Sequence, residues 1–363
     1  MSRRKNKKTT PKRDWSSLDA RMISDDVDWL HALAAAGTRD EAWQAVLGLT
    51  ALPHIARVVH ESHLHLSRKH PASANSVRLR FGAEIAAARH TVKLLDDTGK
   101  LYDGVVADFT RIAEAHRATL GRFNDLAVMS RDGRLFTTSR VSDYNGALGD
   151  TPQRGQAGPH SHAYRLGLDM GESLPLILLH LGVLIPMEPV DVPLPDGEAP
   201  TERSMQAATF YRHSYEPEFP EALKDVLCVI ESTVNTSLFI FSAYTQYFPG
   251  PVFRARLIST VHALRALAEI VERFPALAAR PGMTAVQTLL NTPAAQYLIS
   301  DAIRPLRNRC MHYGVPSHLT IQDTKSPDYG LVQATTDVTY ESVVGNIDGT
   351  LNRLSEVLLD WRA

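Results

Sequence analysis

The 363-residue chain is sparing with the residues that mark several protein classes. It has two cysteines, Cys228 and Cys310, whose spacing fits neither a disulfide framework nor a zinc site. It has no Gly-x(4)-Gly-Lys-Ser/Thr loop, no Gly-x-Gly-x-x-Gly turn and no Gly-x-Ser-x-Gly elbow. Nucleotide hydrolysis on a P-loop, dinucleotide chemistry and α/β-hydrolase chemistry are therefore not expected. Its strongly apolar run, Leu174–Ile185, is too short to span a bilayer and contains His180 and Gly182. The basic start runs into Asp14-Trp15-Ser16 rather than an apolar segment, so no signal peptide is read there. A cytoplasmic protein without a membrane partner is the expectation. No internal repeat is visible.

The first 13 residues contain no acid but carry Arg3, Arg4, Lys5, Lys7, Lys8, Lys12 and Arg13. Removing those seven positive charges from the net −1 leaves −8 on residues 14–363. Such a tail either stays solvated and disordered or holds RNA electrostatically, without sequence preference.

The rest of the chain reads as mainly α. Helices are expected from about Arg39 to Leu66, broken or kinked near Pro53, and over Val77–Leu95, with Leu79, Ala83, Ala86, His90 and Leu94 on one face. A third is expected over about Val105–Val128. Arg131-Asp132-Gly133-Arg134 signals a turn and Leu135–Val141 is β-compatible, so a small hairpin or loop insertion belongs here. Residues 144–162 read as a loop, and helix resumes over Tyr164–Leu184, interrupted at Pro175. Prolines 186, 189, 193, 195 and 200 mark a boundary. The division is a basic tail (1–16), a mostly helical N-terminal domain (17–185), a Pro-rich linker (186–217) and a C-terminal helical bundle (218–363). In that bundle, helical periods run through Ala222–Tyr247, Val252–Phe274, about Pro293–Tyr313 and Tyr340–Trp361, with loop or short strand over 315–335.

Near the end of the third of these helices stands Arg307-Asn308-Arg309-Cys310-Met311-His312, followed by Tyr313, Gly314 and Pro316, which stop the helix. Five residues separate Arg307 from His312, about 140° around an ideal helix, so a long arginine or a second copy of the helix has to complete a shared site. The residue types suit phosphodiester chemistry. Histidine exchanges protons near neutral pH, and a guanidinium grips phosphate and stabilises developing charge. An RNA 2′-hydroxyl can serve as nucleophile without a metal or cofactor.

Arg-Asn-x-x-x-His in a helical bundle resembles the HEPN domains, over roughly residues 218–363. The resemblance implies a metal-independent RNase that works as a homodimer, often in toxin–antitoxin pairs or antiviral defence, with an antitoxin or sensor partner. It implies Arg307 as phosphate contact, Asn308 as polar motif residue and His312 as general acid–base, with Arg309 and Tyr313 in support. It also implies a carboxylate on an earlier helix, for which Glu231 is the candidate. Inactive members of the family serve as dimerisation or nucleotide-binding modules, and that alternative stands beside the nuclease.

Other clusters read more plainly. His54, His60, His63, His65 and His70 are expected on a solvated helix face, although His60-x-x-His63 has metal-ligand spacing. His160-Ser161-His162 is expected in a loop, and Asp96-Asp97 at a helix terminus or turn. Phe239, Phe241, Tyr244, Tyr247 and Phe248 are expected to pack as core.

Overall fold

The structure is a computed structural model that describes residues 16–96, 101–120, 124–147, 161–183 and 189–362. The basic-tail residues Arg3, Arg4, Lys5, Lys7 and Lys8, and also Asp97 and His160, lie outside the described residues. The protein is mainly α with one small sheet. Helices α1 (Ser16–Gly37), α2 (Glu41–Lys69), α3 (Pro71–Asp96) and α4 (Ala107–Leu120) come first. Strands β1 (Leu126–Arg131) and β2 (Arg134–Thr138), helices α5 (Ser139–Asn145) and α6 (His162–His180), strand β3 (Thr201–Met205) and helix α7 (Ala207–His213) follow. The C-terminal part holds α8 (Glu221–Asn235), α9 (Pro249–Arg273), α10 (Pro281–Leu290), α11 (Pro293–Ile299), α12 (Arg304–Met311), α13 (Pro327–Thr335) and α14 (Tyr340–Arg362).

Local chemistry sets these boundaries. Asp40, in extended conformation, accepts the Trp43 amide and starts α2, and Ser161 does the same for Tyr164 at the start of α6. Helix α2 runs through Pro53 unbroken, because Leu49, Leu52 and Ala56 bury the turns on either side of the lost hydrogen bond. Helix α3 contains a kink at Phe81, and its buried apolar residues include Ala74, Val77, Phe81, Ala88 and Val92. The expected stripe through Leu79 and Ala83 instead faces outward, with Leu79 81% exposed, because the kink and Val77 set a different face against the core.

The hairpin forms as expected. Asp132 and Gly133 both take positive φ, the two-residue turn that Asp-Gly favours between twisted strands. The sheet order is β2-β1-β3, all antiparallel, with Met129 opposite Thr137 and Leu126 opposite Met205. Part of the stretch read as a linker thus joins the fold, since Thr201–Met205 covers the open edge of β1 and Ala207–His213 is helical. The outer edge of β2 is covered by side chains of α8. Glu231 accepts the Leu135 amide at 3.0 Å, Asn235 donates to the Leu135 carbonyl at 2.8 Å, and Ser232 donates to the Phe136 carbonyl. A sheet edge that would otherwise offer free backbone groups is satisfied inside the protein.

The long apolar period through 222–247 is not one α-helix. α8 passes into a π-helical turn at Thr236–Ile240 and a 3-10 turn at Phe241–Tyr244. This stretch, Glu221–Tyr244, is long and apolar enough to cross a membrane, and 72% of its most apolar window is buried inside the protein, as in a core helix. Of the aromatic cluster, Phe241, Tyr244 and Phe248 are core, whereas Tyr247 is 38% exposed.

Buried charge ties the two ends of the chain together. The Asp26 carboxylate on α1 accepts from Arg57 of α2 and from Arg254 of α9, each at 2.7 Å, and from the Tyr313 hydroxyl. Arg254 also grips Asp328 of α13, and Arg57 donates to the Cys310 carbonyl at 3.2 Å. Asp26, Arg57 and Arg254 are fully buried. Burial pushes the Asp26 carboxyl up, but the Arg254 and Arg57 guanidiniums outweigh that and hold it at about 2. Removing one member of such a set strands the others without water. Asp26→Ala is therefore expected to destabilise the protein by about 3–5 kcal/mol in urea unfolding, and a loss below about 1 kcal/mol would show that the set contributes little beyond an exposed pair.

Candidate functional site

Helix α12 is short because of its sequence. The single helix expected over Pro293–Tyr313 divides into α11, ending at Ile299, and α12, with Pro305 in its first turn. Leu306, Arg307, Cys310 and Met311 form its buried face. At its end His312 turns to extended backbone while its amide still bonds the Asn308 carbonyl, and Gly314 takes φ +116°, where a side chain would be strained.

The segment after α12 is then held by the N-terminal helices. The Gly314 and Val315 amides donate to the Asp19 carboxylate of α1 at 3.1 and 2.9 Å. Arg309 donates to the Gly314 carbonyl at 2.8 Å. Tyr313, offered as a supporting site residue, is 2% exposed and engaged with Asp26.

The motif residues go three ways. Arg307 is 8% exposed and donates to Asn308 Oδ1 at 3.2 Å. Its charge acts on His262 of α9, whose pKa falls to about 4, chiefly through burial and then through Arg307. His312 remains one-third exposed, and its Nδ1 lies 3.0 Å from Oε2 of Glu61. Asn308 and Arg309 face a third direction, an open groove of about 460 Å³ shared with Asp301, Arg304, Pro305, Pro316, His318, Leu319 and Thr335. Neither Arg307 nor His312 lines that groove.

The carboxylate beside the motif histidine is thus Glu61 on α2. Glu231, the sequence-based candidate, is fully buried and spent elsewhere. It accepts from Arg362 at 2.7 and 3.0 Å, from the Tyr215 hydroxyl at 3.2 Å and from the Leu135 amide. It locks the last helix to the sheet.

The histidine-rich stretch is solvated only in part: His70 is exposed and His60 and His63 are half-buried, whereas His54 and His65 are buried. His54 and His65 are each 2% exposed, His65 Nδ1 lies 4.0 Å from Asp19, and His60 Nε2 lies 4.0 Å from Glu61. A signal for this was present in the sequence. His54, Val58, Glu61 and His65 recur at three- and four-residue spacing, so polar groups share a helical stripe with an apolar one. Among the described residues no group of three or more His, Cys, Asp or Glu is arranged to hold a metal.

Compared with family models, curated proteins and solved structures, the chain matches none. The HEPN likeness therefore rests on Arg307–His312 and its helical setting alone.

Burial lowers three histidines around this region, His54 to about 3 and His65 and His262 to about 4. An unfolded histidine titrates near 6.5. Below that pH the unfolded chain binds protons that the folded histidines refuse, so their contribution is present above about pH 6.5 and is lost as pH falls toward 4. Asp25 and Asp225, pushed up by burial to about 6, act in the opposite sense. Melting temperatures between pH 7 and pH 4.5 are expected to fall less steeply for His54→Asn than for the parent. Parallel curves would show that His54 titrates alike in both states.

Proposed function

We propose that the protein is a metal-independent endoribonuclease of HEPN type, with His312 as its general acid–base and Glu61 as the group that orients it. The observation that carries this reading is the pair itself, a one-third exposed imidazole 3.0 Å from a carboxylate that is 3% exposed. A carboxylate this close to Nδ1 pairs with the ring when it is protonated and holds it beside α2, which suits an imidazole that exchanges protons with a substrate. His312 takes the proton from an RNA 2′-hydroxyl as its oxygen bonds the adjacent phosphorus. The bond to the 5′-oxygen breaks, that oxygen receives a proton, and a 2′,3′-cyclic phosphate remains. Arg304, Arg309 and His318, lining the neighbouring groove, supply cationic and hydrogen-bonding contacts to the RNA backbone. Arg307 and Asn308 keep the roles that the family resemblance implies, with a second copy of the chain completing the cleft, and the reading places the protein with RNA in the cytoplasm.

A second reading has its own observation. Arg307 is 8% exposed and bonded to Asn308, which suits a HEPN-like module that dimerises or binds RNA without cutting it.

Purified protein, His312→Ala and Glu61→Gln incubated with mixed-sequence RNA in excess EDTA separate the two. The nuclease reading expects cleavage to cyclic-phosphate ends, lower by roughly 10²-fold or more in His312→Ala, with melting curves that overlay. RNA bound but uncut by all three proteins would establish the module.

A further inference from the structure

A small, largely covered space lies at the junction of α2, α5, α8, α9 and the π-helical turn after α8. It has a volume of about 20 Å³. Four buried polar atoms on residues that line it have no hydrogen-bond partner among the described residues. They are His54 Nδ1, Asn145 Oδ1, Thr236 Oγ1 and His262 Nδ1. Their residues are 2%, 6%, 3% and 4% exposed.

Orphaned buried polar atoms are rare because each has given up water for nothing. Four around one cavity point to an occupant. Among the described residues no Asp, Glu, Lys or Arg lines it, so no charged side chain there holds an ion. Burial keeps both imidazoles neutral, and each ring nitrogen is then either a donor or an acceptor. The volume admits a molecule the size of water, which needs roughly 10–15 Å³ measured this way and makes about three hydrogen bonds.

We propose that this cavity is a binding site for one ordered water molecule, held jointly by His54, Asn145, Thr236 and His262. The donor count closes. Water donates to Asn145 Oδ1 and to one imidazole nitrogen, and accepts from the other imidazole N–H and from the Thr236 hydroxyl. The four residues come from separate elements, three of them helices, so the water joins the N-terminal helices to α9. It also fixes the His262 ring beside Arg307. Nothing in this depends on whether the motif cuts RNA.

The test combines a high-resolution crystal structure of the full chain with melting of Thr236→Val and Thr236→Ser. The proposal expects a water about 2.7–3.2 Å from at least three of the four atoms. It also expects Thr236→Val, which keeps the shape and deletes the hydroxyl, to lose on the order of 2–4 °C in Tm. Thr236→Ser, which keeps the hydroxyl, should melt closer to the parent. In a dry cavity the same valine relieves an orphaned hydroxyl and melts at or above the parent. An empty cavity in the crystal, or a valine variant as stable as the parent, overturns the proposal.

Discussion

The Asp26 carboxylate is the constraint on which most of the molecule depends. One carboxylate cannot sit dry beside two guanidiniums unless all three are aligned, and that alignment fixes where α1, α2 and α9 cross. Through Tyr313 and the Cys310 carbonyl, the same set fixes the end of α12. Asp19, two turns earlier on α1, adds the Gly314 and Val315 amides. The surroundings of Arg307–His312 are therefore built from residues near both ends of the chain.

A second set repeats the device across the body. Arg140, fully buried on α5, reaches Asp225 at 3.2 Å and also Glu221, both on α8. Burial pushes the Asp225 carboxyl up to about 6 against the pull of Arg140. The Glu231–Arg362 pair closes the C-terminal helix onto the β2 edge. Helices α8 and α9 thus carry polar residues on faces that a soluble bundle would fill with aliphatics. Each is matched by a partner distant in sequence, which selects one packing among the many that apolar faces would allow. Glu61 stands beside His312 one turn along α2 from Arg57, which is itself anchored at Asp26 and the Cys310 carbonyl.

Helix class, the Asp-Gly hairpin, the final helix and the stop at Gly314 were legible because each is written locally, in periodicity or turn chemistry. The α3 face differs from the expected one because a kink at Phe81 interrupts the single helical period, so that Val77 turns inward and Leu79 is left exposed. Strand β3 has a polar, exposed sequence, and only the open edge of β1 makes it a strand. Helix α13 lay inside a stretch read as loop, and Asp328, in its first turn, is drawn into the core by Arg254. At the motif, the sequence showed the histidine but not its carboxylate. Glu61 and His312 are 251 positions apart, and Glu231 stood out only because it was acidic and on a helix in the same bundle.

Buried charge from the N-terminal helices holds the motif-bearing region in shape. Expressing residues 218–363 alone and following its urea unfolding by circular dichroism and amide NMR tests this most directly. Without Asp26, Arg57 and Asp19, the fragment should show poor amide dispersion and no cooperative transition, while the full chain shows both a dispersed spectrum and a sharp one. A fragment that unfolds cooperatively, with Gly314 and Val315 amides as protected from exchange as in the full chain, would show that the bundle holds its shape without the N-terminal helices.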